Sequence, residues 1–558
     1  MLVSDEPKGD MKMSKALRGY AAEQVVKATA TPQMERTPGR TDEVQNNAGG
    51  FVFKVSDKDR LERFLILGVD GGTYYVSEQK LTEKSATFLK AFLAKDERAF
   101  VDTVVDVSTN NRAAKQSPAI FAIALALSEG QDKAYAREAV SKVVRTSTQL
   151  FEFAEYIKAF GGWGRSKRAA VAGWYEGKDA GSLAYQAVKY RQRNGWTHRD
   201  LLRLSHPKGV DQNVGNFILG KTPVAEATEP VLLDGFREMQ SADSVDAVLR
   251  VLGLAQYKGL PWETIPTEFL KDAKVWKTLF YNGALGQTAL IRNVTRFAKI
   301  GAFKDVKFAG DVATALSDAE RIVKGRVHPI AYANAMGIYG EGQIGNSGSG
   351  WSGYGARTKD WDTNSKVLAG LEAGFYNSFQ TIEPANKRTM ISVDTSGSMT
   401  WGAPAGLVGM DYMGAAALVA MVTLRTEPYV EVNAYGTSMK ALPLRENDSL
   451  PQIRAKLENA RAGGTDCALP LVYARENGRE FDTFVNLTDN ETWAGRIKPS
   501  QALVQYRKSS GIDARMAVVA FAGEAFTIAD PADRGMMDFV GFDSAGPRVL
   551  ADFSAGRI

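Results

Sequence analysis

The segment TMISVDTSGSMT, Thr389 to Thr400, has the residue types of a site for a hard cation. Met390, Ile391 and Val393 read as a short buried strand, and Thr395 through Ser398 as the turn after it, with Gly397 supplying backbone freedom. Asp394, Ser396 and Ser398 therefore fall at the carboxyl end of a strand. In open α/β sheets ligands bind in the crevice outside the strand ends. One carboxylate and two hydroxyls make half of an oxygen-ligand set for Mg²⁺, which keeps several waters of its own.

Two downstream segments supply the other half. ARAGGTDCALPLVYA places Thr465 and Asp466 after a glycine pair at the head of a helix, and FDTFVNLTDNETW ends an apolar run, Phe484 to Leu487, on Thr488, Asp489 and Asn490. A strand-end DxSxS, a loop threonine and a strand-end aspartate, in that order, resemble the metal-ion-dependent adhesion site of von Willebrand factor A domains at all five positions. The resemblance implies one divalent cation, Mg²⁺ first, held by Asp394, Ser396, Ser398, Thr465 and Asp489. A hydrogen-bonded network of the same side chains without metal is the alternative.

These loops need a sheet to hold them. From Thr389 onward strand patterns (VEVNAYG, FVNLTD, AVVAFAG) alternate with helical ones (MGAAALVAMVTLR, LPQIRAKLENARA, QALVQYRKSSG), which predicts a doubly wound parallel sheet over residues 381–558. Residues 46–380 are dominated by helical patterns: SPAIFAIALALS, YAREAVSKVV, LFEFAEYIKAF, SVDAVLRVLGL, GQTALIRNVTRFAKIGAF and DVATALSDAERIVK. In the fifth, Leu285, Ala289, Leu290, Val294, Phe297 and Ile300 share one helical stripe. Successive helices without strands predict an α-solenoid of stacked hairpins, of the HEAT kind. Residues 1–45 are polar, carry Pro32 and Pro38, and read as a mostly mobile extension with a short helix around Ala21 to Lys27. Ordered structure is expected to begin at FVFKVSDKDRLERFLILG. GEGQIGNSGSGWSG, between Tyr339 and Tyr354, reads as a flexible loop, with a phosphate cradle as the functional alternative.

At 558 residues the chain exceeds one core and should form two or more domains. A single cysteine, Cys467, excludes an internal disulfide and fits a reducing, cytoplasmic setting. The amino terminus lacks the apolar stretch of a secretory signal, and the longest apolar run, near Ala415 to Leu424, reads as a buried helix rather than a membrane span. One cysteine and three histidines are too few for a structural zinc site. DTSGSM is not the GxSxG elbow, and no histidine follows His328, so a hydrolase built on Asp394 or Ser396 is disfavoured and no catalytic residue is expected.

A second chemistry lies in the helical part. Between Lys142 and Lys208 there are 13 Lys/Arg against 5 Asp/Glu, an excess of +8, whereas the whole chain carries 69 against 64; everything outside is net acidic. A localised basic surface is what tracks a phosphate backbone. GGWGRSKR sets Arg165, Lys167 and Arg168 beside Trp163. KYRQRNGWTHRDLLRLSH sets Lys189, Arg191 and Arg193 ahead of Trp196 and His198. Thr197 reads as the N-cap of a helix running to about His206, with Leu201 and Leu204 facing the core and Arg199, Arg203 and His206 on an outer stripe. A helix amino terminus flanked by guanidinium groups suits phosphates; a solvated helix face is the bland reading. His328, in RVHPI, reads as a helix-end packing residue.

Long, ordered motifs carry a wider resemblance over roughly residues 50 to 558: GGTYYVSEQKL, KYRQRNGWTHRDLLRLSH, KGRVHPI, DTSGSM, AGGTDCALP, LTDNETWAG and FTIADPADRGMMDFVGFD. The chain resembles the Ro autoantigen family of TROVE-domain RNA-binding proteins. The resemblance implies a ring of HEAT-like helical repeats closed by a von Willebrand factor A-like domain, monomeric. It implies binding of small noncoding Y RNA and of the single-stranded ends of misfolded or structured RNAs, in RNA quality control, with an exoribonuclease among the partners. It places the family's RNA-contact histidine at His198. The first 45 or so residues have no obvious family counterpart, and the loop near Gly345 looks divergent. The competing functional reading is a metal-dependent protein-binding receptor, in which a partner's carboxylate completes the cation's coordination.

Overall fold

The computed structural model describes residues 30–67, 81–113, 115–224, 230–341, 360–379, 383–400, 411–446, 448–461, 463–522, 525–541 and 545–557. The helix expected around Ala21 to Lys27, the GGTYYVSEQKL motif before Leu81 and the Gly/Ser loop beyond Glu341 lie outside the described residues.

The helices start where the sequence supplies a cap. Asp96, Asp132, Asp179 and Asp318 each accept a first-turn backbone N–H, at 3.0, 3.0, 2.8 and 3.1 Å, satisfying donors that a helix end leaves unpaired. Asp318 does so inside DVATALSDAERIVK, and that stretch, expected as one helix, is two, Val306–Ser317 and Ala319–Lys324. The Ser117–Glu129 helix is apolar nearly all round and buried over almost its whole length, so its neighbours wrap it on every side. Phe100, Ile123, Phe151, Phe153 and Trp174 belong to the core of the first half of the helical part.

A second core starts at Met239, takes in Trp276, Phe297 and Phe308, and runs without interruption through Leu371 into Met421, Val393 and Val485 of the carboxy-terminal domain. The boundary near residue 380 therefore divides the chain but not the packing. The helical part also returns on itself. The Arg326 guanidinium donates to the Thr109 carbonyl at 3.3 Å, and His328 Nε2 lies 3.2 Å from the Arg112 carbonyl. His328 Nδ1 accepts the Ile330 N–H at 3.2 Å, so the ring proton sits on Nε2 and points at Arg112. The expected helix-end packing residue is thus a contact that closes the solenoid.

Strands β1 (Glu43–Gln45) and β2 (Phe51–Lys54) pair antiparallel, and a tight hairpin, β3 (Gln192–Arg193) and β4 (Trp196–Thr197), interrupts the helices. The main sheet comprises β5 (Thr389–Asp394), β6 (Val430–Tyr435), β7 (Met439–Ala441), β8 (Thr483–Thr488), β9 (Arg515–Ala520) and, after the short β10 (Phe526–Thr527), β11 (Met536–Val540). Its order is β11-β9-β8-β5-β6-β7, parallel throughout except for the antiparallel edge strand β7. Strand β5 has β6 on one side and β8 on the other, so the chain reverses its direction of winding at β5. A crevice opens at such a point.

Residues 31–45, expected to belong to a mobile extension, are held in place. β10 pairs with β2, joining the first strands to the carboxy-terminal domain, and Gln33, Glu43 and Asn46 are buried. Arg63, on the Asp57–Leu67 helix, is buried against Asp538 of β11 and donates to the Phe526 carbonyl at 3.0 Å. The chain therefore binds its own carboxy-terminal sheet before the solenoid begins.

Candidate functional site

Asp394 ends β5, and its neighbour in register, β8, ends at Thr488, with Asp489 next. Thr465 comes from the loop ahead of the Leu469–Glu476 helix. The Trp493 and Ala494 N–H groups donate to the Thr465 carbonyl at 3.1 and 3.0 Å, and Asp466 N–H donates to the Gly436 carbonyl at 3.0 Å, which locks this loop to the one after β8 and to the end of β6. The five residues named from sequence thus come from three loops at one edge of the sheet. Asp394, Ser396, Thr465 and Asp489 are buried, while Ser398 is exposed.

Asp394 Oδ1 accepts the Ser396 N–H and Oδ2 the Thr488 hydroxyl, each at 2.9 Å. The Ser396 and Ser398 hydroxyls are 3.1 Å apart, and Asp489 Oδ1 accepts the Glu491 N–H at 3.1 Å. Burial, and then the nearby Asp489 carboxylate, push the Asp394 carboxyl up to about 7. Burial likewise raises Asp489, opposed by hydrogen bonds from Ser398 and the backbone. Two carboxylates in a dry site destabilise each other's charge, and a divalent cation between them would remove that conflict. Among the described residues no group of three or more His, Cys, Asp and Glu side chains could hold a metal; the set here is two carboxylates and three hydroxyls. That donor chemistry fits a hard cation such as Mg²⁺. Beneath it, Cys467 lies 3.8 Å from the Thr488 hydroxyl and accepts the Tyr435 hydroxyl at 3.4 Å. Burial keeps this thiol protonated, so it is part of the floor.

The basic stretch divides into exposed and buried members. Arg165 and Arg168 are exposed on the first turn of the Arg165–Glu176 helix, and Arg191 and Arg193 on or beside β3. Between β3 and β4, Asn194 and Gly195 both have positive φ, 52° and 76°, the turn that an Asn-Gly pair favours between two strands. That dipeptide was the signal for a hairpin that the helical reading passed over. It delivers the chain to Thr197, which caps the His198–Ser205 helix in a reciprocal box with Asp200. Arg199, Arg203 and His206 are exposed as expected; Leu202, rather than Leu204, joins Leu201 in the core.

Three predicted positions differ in setting. Lys167 is buried, with its ammonium group donating to the Phe160 carbonyl at 2.8 Å, and burial lowers its pKa. It shares the inward stripe of Ala170, Val171 and Trp174, so it does not join Arg165 and Arg168 at the surface. Lys189 is half-buried, donating to the Tyr185 hydroxyl at 2.9 Å over the rings of Tyr185 and Tyr190. His198 is 3% exposed. Its ring sits among Phe151, Trp174 and Tyr175, with Nδ1 2.8 Å from the Tyr175 hydroxyl and Nε2 without a hydrogen-bond partner. Burial depresses its pKa to about 4, the carbonyls of Gln186 and Tyr190 working the other way. The first-turn exposure expected of His198 is thus not found: the residue is buried as a whole. Trp163 and Trp196 pack edge to face at 5.6 Å, half-buried, and Trp196 Nε1 donates to Glu155 at 2.9 Å. Lys178, which the sequence did not single out, lies 4.0 Å over the Trp174 ring.

Residues 44–227 and 257–340 match the TROVE domain, and residues 388–554 match the Ro60 vWA domain. The chain is 36% identical to the RNA-binding protein RO60 of Deinococcus radiodurans, over 94% of this chain and 98% of that one. It is 32% identical to the RNA-binding protein RO60 of Caenorhabditis elegans, over 94% and 92%. The crystal structure of the D. radiodurans RO (RSR) protein superposes with a TM-score of 0.67 at 34% identity, covering 90% of this chain and all of that one. With its capped helical solenoid closed on a parallel sheet, and both domains matched in order, the chain belongs to the Ro60 family.

Proposed function

We propose that this protein is an RNA-binding scaffold of a ribonucleoprotein, taking a small noncoding Y or Y-like RNA and the single-stranded ends of misfolded or structured RNAs, without catalysis of its own. The observation that carries this reading is a set of exposed guanidinium groups, Arg165, Arg168, Arg191, Arg193, Arg199 and Arg203, none of which has a carboxylate partner among the described residues. Arginines that fold stability needs are usually paired; unpaired ones on adjoining elements are available to phosphates. Relatives that are named RNA-binding proteins over nearly their whole length support the same reading. The role we assign is RNA quality control in the cytoplasm, as a monomeric ring that presents RNA to an exoribonuclease. No helix among the described residues is long and apolar enough to cross a membrane.

The test is the absorbance ratio at 260 and 280 nm of the purified protein, followed by sequencing of what copurifies and a shift assay on an RNA with a single-stranded 3′ tail. Enrichment of one small structured RNA, and binding that needs the tail, are expected. Protein free of nucleic acid that ignores tailed RNA overturns the proposal.

In the carboxy-terminal domain, Asp394, Ser396, Ser398, Thr465 and Asp489 would hold Mg²⁺, which supplies charge compensation and an electrophilic point for an oxygen ligand. One feature favours a second, coexisting role as a metal-dependent receptor for a protein carboxylate. Ser398 is exposed while the other four ligands are buried, and Trp493 stands 41% exposed on the adjoining loop.

A further inference from the structure

The metal reading names three loops, but a fourth piece of chain holds two of them in place. Gln33 lies in the amino-terminal segment and is fully buried in the carboxy-terminal domain. Its amide is saturated. Nε2 donates to Asp466 Oδ1 at 2.8 Å and to the Ile497 carbonyl at 2.9 Å, while Oε1 accepts the Thr492 hydroxyl at 2.6 Å and the Gly495 N–H at 3.1 Å. Its backbone continues the clasp, donating to the Gly495 carbonyl at 3.0 Å and accepting from Phe51 at 2.7 Å.

Three of these partners lie on the loops that carry metal-site residues. Asp466 follows Thr465 directly. Thr492 and Gly495 lie on the loop that begins at Asp489, and the Thr492 hydroxyl also accepts the Cys467 N–H at 3.1 Å. One glutamine side chain therefore cross-links the loop that carries Thr465 to the loop that carries Asp489. The segment grips the second loop again further along: Asn46 Nδ2 donates to the Thr492 carbonyl at 2.9 Å, and Asn47 Nδ2 and Ala48 N–H donate to the Glu491 carboxylate at 2.6 and 3.0 Å. The fit leaves no slack. A Cβ on Gly50 would stand 1.9 Å from the Thr492 carbonyl oxygen, and one on Gly495 2.3 Å from both Asp466 Oδ1 and Gln33 Nε2.

We propose that Gln33 is a positioning residue of the metal centre: the amino-terminal segment 31–50 is its fourth wall, and fixes the Thr465 and Asp489 loops in the spacing the cation requires. This rests on the metal reading of Asp394, Ser396, Ser398, Thr465 and Asp489. The physical reason is that ligands on separate loops lose affinity when their spacing relaxes, and partners outside the ligand shell typically account for about 10–100-fold in metal affinity. Because β2 continues into the helix that carries Arg63, the same segment ties the metal loops to the start of the solenoid.

The test is Mn²⁺ binding to the full-length protein by calorimetry and by the Mn²⁺ electron paramagnetic resonance signal, with melting in EDTA recorded alongside. Gln33→Glu keeps the shape but sets a carboxylate against Asp466, and should weaken Mn²⁺ at least about tenfold. Adding Asp466→Asn restores a donor opposite the new acceptor and should recover a large part of the loss, which a general loss of stability would not do. Gln33→Asn, which withdraws the amide by one methylene, should weaken Mn²⁺ about threefold and serves if Gln33→Glu does not fold. Wild type that binds Mn²⁺, with Gln33→Glu or Gln33→Asn binding within a factor of about 1.5 of it, overturns the proposal and leaves the metal reading standing. Wild type that binds no Mn²⁺ overturns both.

Discussion

The Tyr175 hydroxyl and His198 Nδ1 meet at 2.8 Å inside the first helical core, 23 residues apart in sequence. That contact, with Phe151 and Trp174 against the same ring, places a polar side chain where the helix phase wants an apolar one. His198 shares its inward stripe with Leu201, Leu202 and Ser205.

Burial holds the His198 pKa at about 4, below the roughly 6.5 of an exposed histidine. A depressed base binds its proton more readily in the unfolded chain, so its contribution is present above about pH 6.5 and is lost as pH falls toward 4. Between pH 7.5 and 5 this residue should cost about 2 kcal/mol of stability. With only three histidines in the chain, a ring-resolved NMR titration can read it directly. One resonance should titrate near pH 4; three values clustered near 6.5 would contradict the burial.

Arg199 and Arg203 occupy an outer stripe of a helix that Thr197 caps. Replacing both by Ala should weaken single-stranded RNA binding across sequences and flatten its salt dependence. The loss should be about 0.7 to 1.4 log units per log unit of salt, the share of one to two phosphate contacts. Fluorescence anisotropy over a KCl series measures the slope. A slope equal to wild type removes these residues from the interface.

Asp394 and Asp489 are like charges in a dry site. On the proposed metal reading, Asp394→Asn should weaken Mn²⁺ by about 100-fold or more, since it would remove a carboxylate that holds the cation directly or by way of water, where even outer partners matter this much. In EDTA the same variant should melt no lower than wild type, because one half of the repulsion is gone. Lower melting in EDTA would mean that the carboxylate serves the hydrogen-bond network rather than a cation.

Arg63, buried, pairs with the mostly buried Asp538 between the first helix and β11. Arg63→Ala leaves the mostly buried Asp538 carboxylate without its cation, held among the described residues only by the Thr527 hydroxyl at 2.8 Å, and should cost about 3 kcal/mol, whereas Arg63→Met with Asp538→Leu should recover much of it. Urea unfolding monitored by circular dichroism separates these outcomes; equal stability of the single variant and wild type would show that the pair is not what holds the first helix to the sheet.

Sequence alone carried the five candidate cation-site residues that the fold brings to one sheet edge, the alternation that builds the sheet, and the capped helix at Thr197. Each of these is written in local order: an apolar run, then a carboxylate or hydroxyl within a few residues of the strand or helix end. Helix phase also held the burial of Lys167 and His198, since both lie three or four residues before core positions, but the density of charge and aromatic rings around them read as surface. The tertiary structure alone decided the rest. Residues 31–50 have too few apolar positions to show a period, and they are ordered by hydrogen bonds to residues more than 400 positions away. The closure of the solenoid at Arg326 and His328, and the core shared between its second half and the sheet, depend likewise on partners that no local window contains. Local pattern fixes which elements form and what chemistry their ends offer. Which ends meet is settled by packing across the whole chain.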